Sequence, residues 1–229
     1  MFFHPMDFVI LIAFGISIWA QFKVKSSFNQ WSAVPASGGL TGAEVARQIL
    51  DKNNLYNVPV EVVHGRLSDH YDPMARTIRL SEDVYFGRSI ASVSVAAHEV
   101  GHAIQHDTSY GFLTLRHRIF PMVNLASGAA PLLLLGGFLL QAFSLIGIGI
   151  LLFSIAVAFQ LITLPVEYNA SSRAKTLMLA EGIIHDTDRK GVNKVLGAAA
   201  LTYLAATLIS VLELVKYILI FFQGQTEEE

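Results

Sequence analysis

The chain of 229 residues has no cysteine, which excludes disulfide cross-links and thiolate metal ligands. Charge is scarce as well: 15% of residues are charged and 53% hydrophobic, where soluble domains carry roughly 25% charged residues. This balance points to a membrane protein. The net charge of −2 excludes the strong basic surface that nucleic acid or a polybasic lipid contact would need. Internal repeats and low-complexity segments are also missing, and the length suits one catalytic unit.

Long apolar runs are what the sequence does have. A spanning helix needs about 20 mostly apolar residues. Phe8–Phe22 carries no charge, and Pro5–Met6 lengthens it past Asp7. A cleaved signal peptide is the competing reading. It lacks a basic flank before the run and a small-residue cleavage site after it, so a signal-anchor helix is expected. Ile119–Leu164 is uncharged throughout, enough for two spans hinged near Gln141–Ser144. A fourth run, Val195–Phe222, is interrupted by Glu213 and Lys216 and admits two registers, Val195–Leu212 or Leu201–Phe222. The expected spans are thus about 5–22, 119–140, 143–165 and 195–222 of one unit covering 1–229. Ten of the 16 Lys and Arg residues lie between Lys23 and Arg118, and five between Arg173 and Lys194. The positive-inside rule puts 23–118 and 166–194 on the cytoplasmic side as catalytic segments. The N-terminus and the acidic Glu227–Glu229 tail are then outside.

Within the polar segments, residues 26–40 read as an irregular linker. Thr41 caps a helix, Glu44 completes a capping box, and Asn53–Asn54 mark its end. Val58–Val63 is β-branched and reads as a strand. Leu67–Asp72, a turn at Pro73 and Thr77–Leu80 suggest a hairpin. Ser89 starts a helix reaching about His106. Pro165 marks a helix start or kink, Gly182 a stop, and Asp186 or Asp188 a cap for the last helix.

The strongest chemical signal is His98-Glu99-Val100-Gly101-His102. Two histidines four apart share one helix face, so both imidazoles reach one Zn²⁺. Glu99 beside them is placed to act on water as a general base. A polar helix face that merely carries two histidines is the plain alternative, but Ile90–Ala97 is small and apolar, as for a buried helix. Gly101 costs about 1 kcal/mol relative to Ala in mid-helix, which is useful if a second helix packs closely. For the third ligand, His106 lies eight residues from His98, about 12 Å along the helix, too far for one ion. Glu167 is the better candidate. It is the first charge after 48 uncharged residues, 119–166, and a carboxylate that close to the bilayer tends to be functional. Ser171, one turn on, is a candidate support for a ligand, or simply a packing residue. Arg173 is a candidate oxyanion stabiliser, or a surface or lipid-phosphate contact.

Four segments carry a family resemblance: Ser68-Asp69-His70-Tyr71-Asp72-Pro73, Ala96–Gln105, Glu167-Tyr168-Asn169-Ala170-Ser171 and Ala198–Tyr203. Together they resemble the bacterial YugP-type neutral zinc metallopeptidases over nearly the whole chain, and in plan the HtpX-type peptidases and CAAX prenyl proteases. The resemblance implies that Glu167 is the third zinc ligand. An aspartate often stands four residues after that glutamate in those relatives; Ser171 stands here. It also implies that the Asp69–Leu80 hairpin is an edge strand over the cleft, with His70, Tyr71 and Asp72 bordering it, or serving simply as hairpin and turn residues. His70 and Tyr168 are candidates for transition-state stabilisation.

The expected fold is therefore mainly α: a multi-span integral membrane protein with a gluzincin-like zinc peptidase site and a small β-hairpin or edge strand. The expected activity is zinc-dependent endopeptidase cleavage of peptide or membrane-protein substrates at the cytoplasmic face of the bacterial plasma membrane. His98, His102 and Glu167 would be ligands and Glu99 the base. Two rivals are an intramembrane protease of the site-2 type and a non-catalytic zinc-binding scaffold. The first lacks an Asp-Gly ligand in a later span, and the second has no use for Glu99.

Overall fold

A computed structural model describes residues 4–226; the Glu227–Glu229 tail, expected outside the cell, is not among them. The elements in chain order are α1 (Pro5–Ser32), α2 (Gly42–Lys52), β1 (Val60–Val63), β2 (His70–Asp72), β3 (Thr77–Ser81), α3 (Glu82–Tyr85), α4 (Ile90–Asp107), α5 (Gly111–Leu140), α6 (Phe143–Ala180) and α7 (Arg189–Thr226). Four helices are long and apolar enough to cross a membrane: α1, α5, α6 and the stretch Asp186–Gly224 that contains most of α7. α6 and α7 have 38 residues each. At 1.5 Å per residue they run about 57 Å, well beyond a hydrocarbon core of about 30 Å.

By internal packing the chain forms two units. One draws on Met1–Trp19, Thr114–Leu164 and Thr202–Glu229. Its surface is rich in exposed Leu, Ile and Phe, as lipid-facing helices are. Lys216, which interrupts the last apolar run, is paired there with Asp7 at 3.0 Å, so neither charge is left alone in apolar surroundings. α5 ends where Gln141 turns left-handed, and the Ala142 N–H closes on the Gly137 carbonyl at 2.9 Å.

The other unit, Ala20–Leu113 with Pro165–Leu201, holds a hydrophobic core built around α4. Ile49 and Leu50 of α2, Ile78 and Leu80 of β3 and Met178 of α6 are fully buried in it. Each such side chain contributes about 1.5–3 kcal/mol of transfer free energy. α2 begins with the expected capping box: Thr41 Oγ1 accepts from Glu44 N–H and Glu44 from Thr41 N–H. Ser89 caps α4 through the Ser92 N–H. α6 stops at Gly182, whose φ of +66° lets the Ile183 N–H close back on the Met178 carbonyl. The sheet order is β1-β3-β2, with β1 parallel and β2 antiparallel to β3. β3 is the buried centre and β2 an edge.

Three local expectations change. Residues 26–32 are helical rather than linker, because Phe28 joins the core and helix hydrogen bonding holds to Ser32; packing outweighs the polar composition there, and Pro35 follows the end. Pro165 lies inside α6, so it is not a helix start. Asp188 does not cap α7 directly: its carboxylate receives the His185 N–H at 3.3 Å and the Ser37 N–H at 3.1 Å, tying the segment after α1 to the turn before α7.

Candidate metal centre

α4 is buried on nearly every side because its residues before the motif are small and apolar. It holds His98 and His102 one turn apart, with their rings edge to face at 4.7 Å between centroids. α6 packs across α4 at Gly101. A Cβ on Gly101 would meet the Ala170 carbonyl oxygen at 2.7 Å, so only glycine admits this approach. The close crossing delivers Glu167 of α6 to the histidines. Its Oε2 lies 3.3 Å from His98 Nε2 and 3.6 Å from His102 Nε2, and the three side chains are almost wholly buried. Each offers one ligand atom, and all three atoms lie within 4.8 Å of one another.

The geometry suits a metal. Ligands at about 2.0–2.1 Å from a tetrahedral zinc stand about 3.3 Å apart, close to the distances above. The donor set of two imidazole nitrogens and one carboxylate oxygen is a zinc set. Electrostatics agree: burial opposes a charge on His102, but the Glu167 carboxylate outweighs burial and raises its pKa above the ordinary histidine value. The pocket therefore favours positive charge where the ligand atoms meet.

The other ring nitrogens are engaged too. His98 Nδ1 meets Ser171 Oγ at 3.1 Å and His102 Nδ1 meets Gln105 Oε1 at 3.0 Å. Gln105 carries no charge or motif role that would single it out in the sequence; its position three residues after His102 is the one available signal. Glu99 is buried beside the cluster on α4. Asp69, just before β2, is raised above the usual carboxyl range by burial, with the Glu99 charge adding in the same direction.

The remaining candidates are placed as follows. Tyr71 bonds His106 Nδ1 at 2.8 Å, joining β2 to the last turn of α4. His106 is not part of the ligand group among the described residues. Burial, helped by Arg76, lowers its pKa. His70 is exposed, with Nδ1 on the Ser68 carbonyl. Asp72 bonds Arg79 and caps the turn through the Met74 and Ala75 N–H groups. Tyr168 is half exposed. Arg173 Nε donates to Asn169 Oδ1 at 2.8 Å.

Comparison with known proteins gives two matches over nearly the whole chain. Residues 6–222 match the family model described as "Putative neutral zinc metallopeptidase". The chain is 63% identical over 220 residues to the "Putative membrane protease YugP" of Bacillus subtilis (strain 168), covering 96% of this chain and 98% of that one. No solved structure matches. With the family model spanning almost all of the chain and a full-length relative at this identity, the chain belongs to the neutral zinc metallopeptidase family.

Proposed function

We propose that the chain is a zinc-dependent membrane endopeptidase of gluzincin type, in which His98, His102 and Glu167 hold one Zn²⁺ and Glu99 is the general base. The observation that carries this reading is the convergence of three ligand atoms within 4.8 Å, next to a buried carboxylate, Glu99, that is not one of them. A bound zinc supplies a Lewis acid that polarises a carbonyl and makes water more acidic. Glu99 takes the proton of the attacking water and passes it to the departing amine as the C–O bond forms and the C–N bond breaks. Substrate would add as a strand along β2, whose ladder among the described residues runs to β3 alone. His70, Tyr71 and Asp72 would then border it, with Tyr168 at the α6 side.

The whole chain, 1–229, is read as one membrane-embedded peptidase, with segments 23–118 and 166–194 on the cytoplasmic side, both termini outside, and membrane-protein or peptide substrates. The test is hydrolysis of an unfolded membrane protein by the purified chain before and after chelation. Cleavage that stops on chelation and returns with zinc supports the reading; cleavage indifferent to chelator contradicts it.

A further inference from the structure

We propose that Gln105 is a positioning residue that commits His102 to one tautomer, with the ring proton on Nδ1 and the bare Nε2 turned towards Glu167. Asn169 and Arg173 set Gln105 in turn. The proposal rests on the reading of His98, His102 and Glu167 as ligands.

The chain of hydrogen bonds starts from two groups that have no choice of role. The Arg173 Nε–H only donates, and the Val166 carbonyl only accepts. Arg173 Nε bonds Asn169 Oδ1 at 2.8 Å, which fixes the oxygen of the Asn169 amide. The Gln105 amide faces that oxygen at 3.0 Å and the Val166 carbonyl at 2.8 Å. Both are acceptors, so the group turned to them is the Gln105 NH₂. A flipped amide would set oxygen against oxygen twice. Gln105 Oε1 is then the atom 3.0 Å from His102 Nδ1. An amide oxygen only accepts, so His102 Nδ1 carries a proton, and in the neutral ring, the form that binds a metal, Nε2 is left with its lone pair.

His98 differs. Its Nδ1 partner is the Ser171 hydroxyl, which donates or accepts equally well and commits nothing. Gln105 also acts on a second ligand, since Val166 directly precedes Glu167. A single buried amide, with no solvent exposure, thereby orients His102 and fixes the backbone at Glu167. A partner of this kind is worth about 10–100-fold in metal affinity.

The experiment uses the full chain with ¹⁵N-labelled histidine, metal-free and at a pH where the rings are neutral, together with zinc affinity by chelator competition. The wild type is expected to show His102 protonated on Nδ1. Gln105→Leu, close in size but without an acceptor, is expected to lose that single tautomer and to bind zinc 10–100-fold more weakly. Gln105→Glu restores an acceptor for His102 Nδ1 but sets its other oxygen against the Val166 and Asn169 oxygens, so it is expected to keep the tautomer with a lowered melting temperature. Ser171→Ala should leave the His102 signal unchanged. A wild-type His102 protonated on Nε2 overturns the proposal without any variant, so misfolding of Gln105→Leu does not protect it. A folded Gln105→Leu with wild-type tautomer and wild-type zinc affinity overturns it as well. If His102→Ala binds zinc as the wild type does, the ligand reading itself fails, and this proposal with it; loss of zinc in His102→Ala leaves the Gln105 measurements to decide.

Discussion

The carbonyl oxygen of Ala170 sits 2.7 Å from the point where a methyl group on Gly101 would begin. That contact sets how near α6 comes to α4, and so where Glu167 meets the two histidines. Gly101→Ala brings two opposed effects. Helix propensity favours alanine by about 1 kcal/mol, while overpacking against backbone costs about 1–3 kcal/mol. The clash should win, lowering the melting temperature in detergent. Gly128→Ala in α5, where nothing lies within 4 Å of the added Cβ, should instead be neutral or stabilising. Equal gains at both positions would show that the crossing is not tight.

Much of this site is legible in the sequence, because local chemistry announces itself. The Thr41–Glu44 box, the Ser89 cap, the Gly182 stop and the i, i+4 histidines each depend on residues within one turn. Glu167 stands out because a charge after a long apolar run is conspicuous. What the sequence hides depends on tertiary packing. The helical state of residues 26–32 comes from Phe28 entering the core, and the bond of His106 to Tyr71 comes from a hairpin folding back on α4. Gln105 and Asn169 are neutral amides whose roles emerge only when α6 lies against α4. Arg173, a candidate for oxyanion stabilisation or a surface contact, donates to Asn169, a partner that no local pattern announces.

Asp72 should make the hairpin acid-sensitive. The Ala75 N–H, then the Arg79 guanidinium, lower its pKa from 3.8 to about 2. A carboxyl depressed in the folded state contributes stability above its unfolded pKa and loses it as pH falls through the folded value. The contribution is therefore complete above about pH 5 and fades towards pH 2. Asp72→Asn keeps a turn-capping oxygen but removes the charge beside Arg79. The gap in melting temperature between wild type and Asp72→Asn should be widest at pH 6 and close on acidification. A gap that widens in acid contradicts the sign.

The topology predicts that segment 23–118 is cytoplasmic. Met74 is 92% exposed in the hairpin turn, and the chain has no native cysteine to interfere. A cysteine introduced by Met74→Cys should react with a membrane-impermeant thiol reagent only after cells are permeabilised. Labelling from outside intact cells would invert the orientation.

Glu99→Gln should separate metal binding from catalysis. Glutamine nearly matches glutamate in shape, and the three ligand side chains are untouched. The carboxylate that accepts the water proton is lost, a contribution of roughly 10²–10⁴ in rate. The expected variant is folded, holds zinc as the wild type does, and cleaves a peptide substrate at a rate reduced by about that factor. Undiminished cleavage would remove Glu99 from the base role, and a scaffold function would survive the change unaltered.

The most direct test of the ligand set is zinc counted per chain by mass spectrometry in purified wild type, Glu167→Ala and His106→Ala. The convergence of His98, His102 and Glu167 predicts one zinc in the wild type, one in His106→Ala and a sharp loss in Glu167→Ala. Undiminished zinc in Glu167→Ala, together with loss in His106→Ala, would contradict the account at its centre.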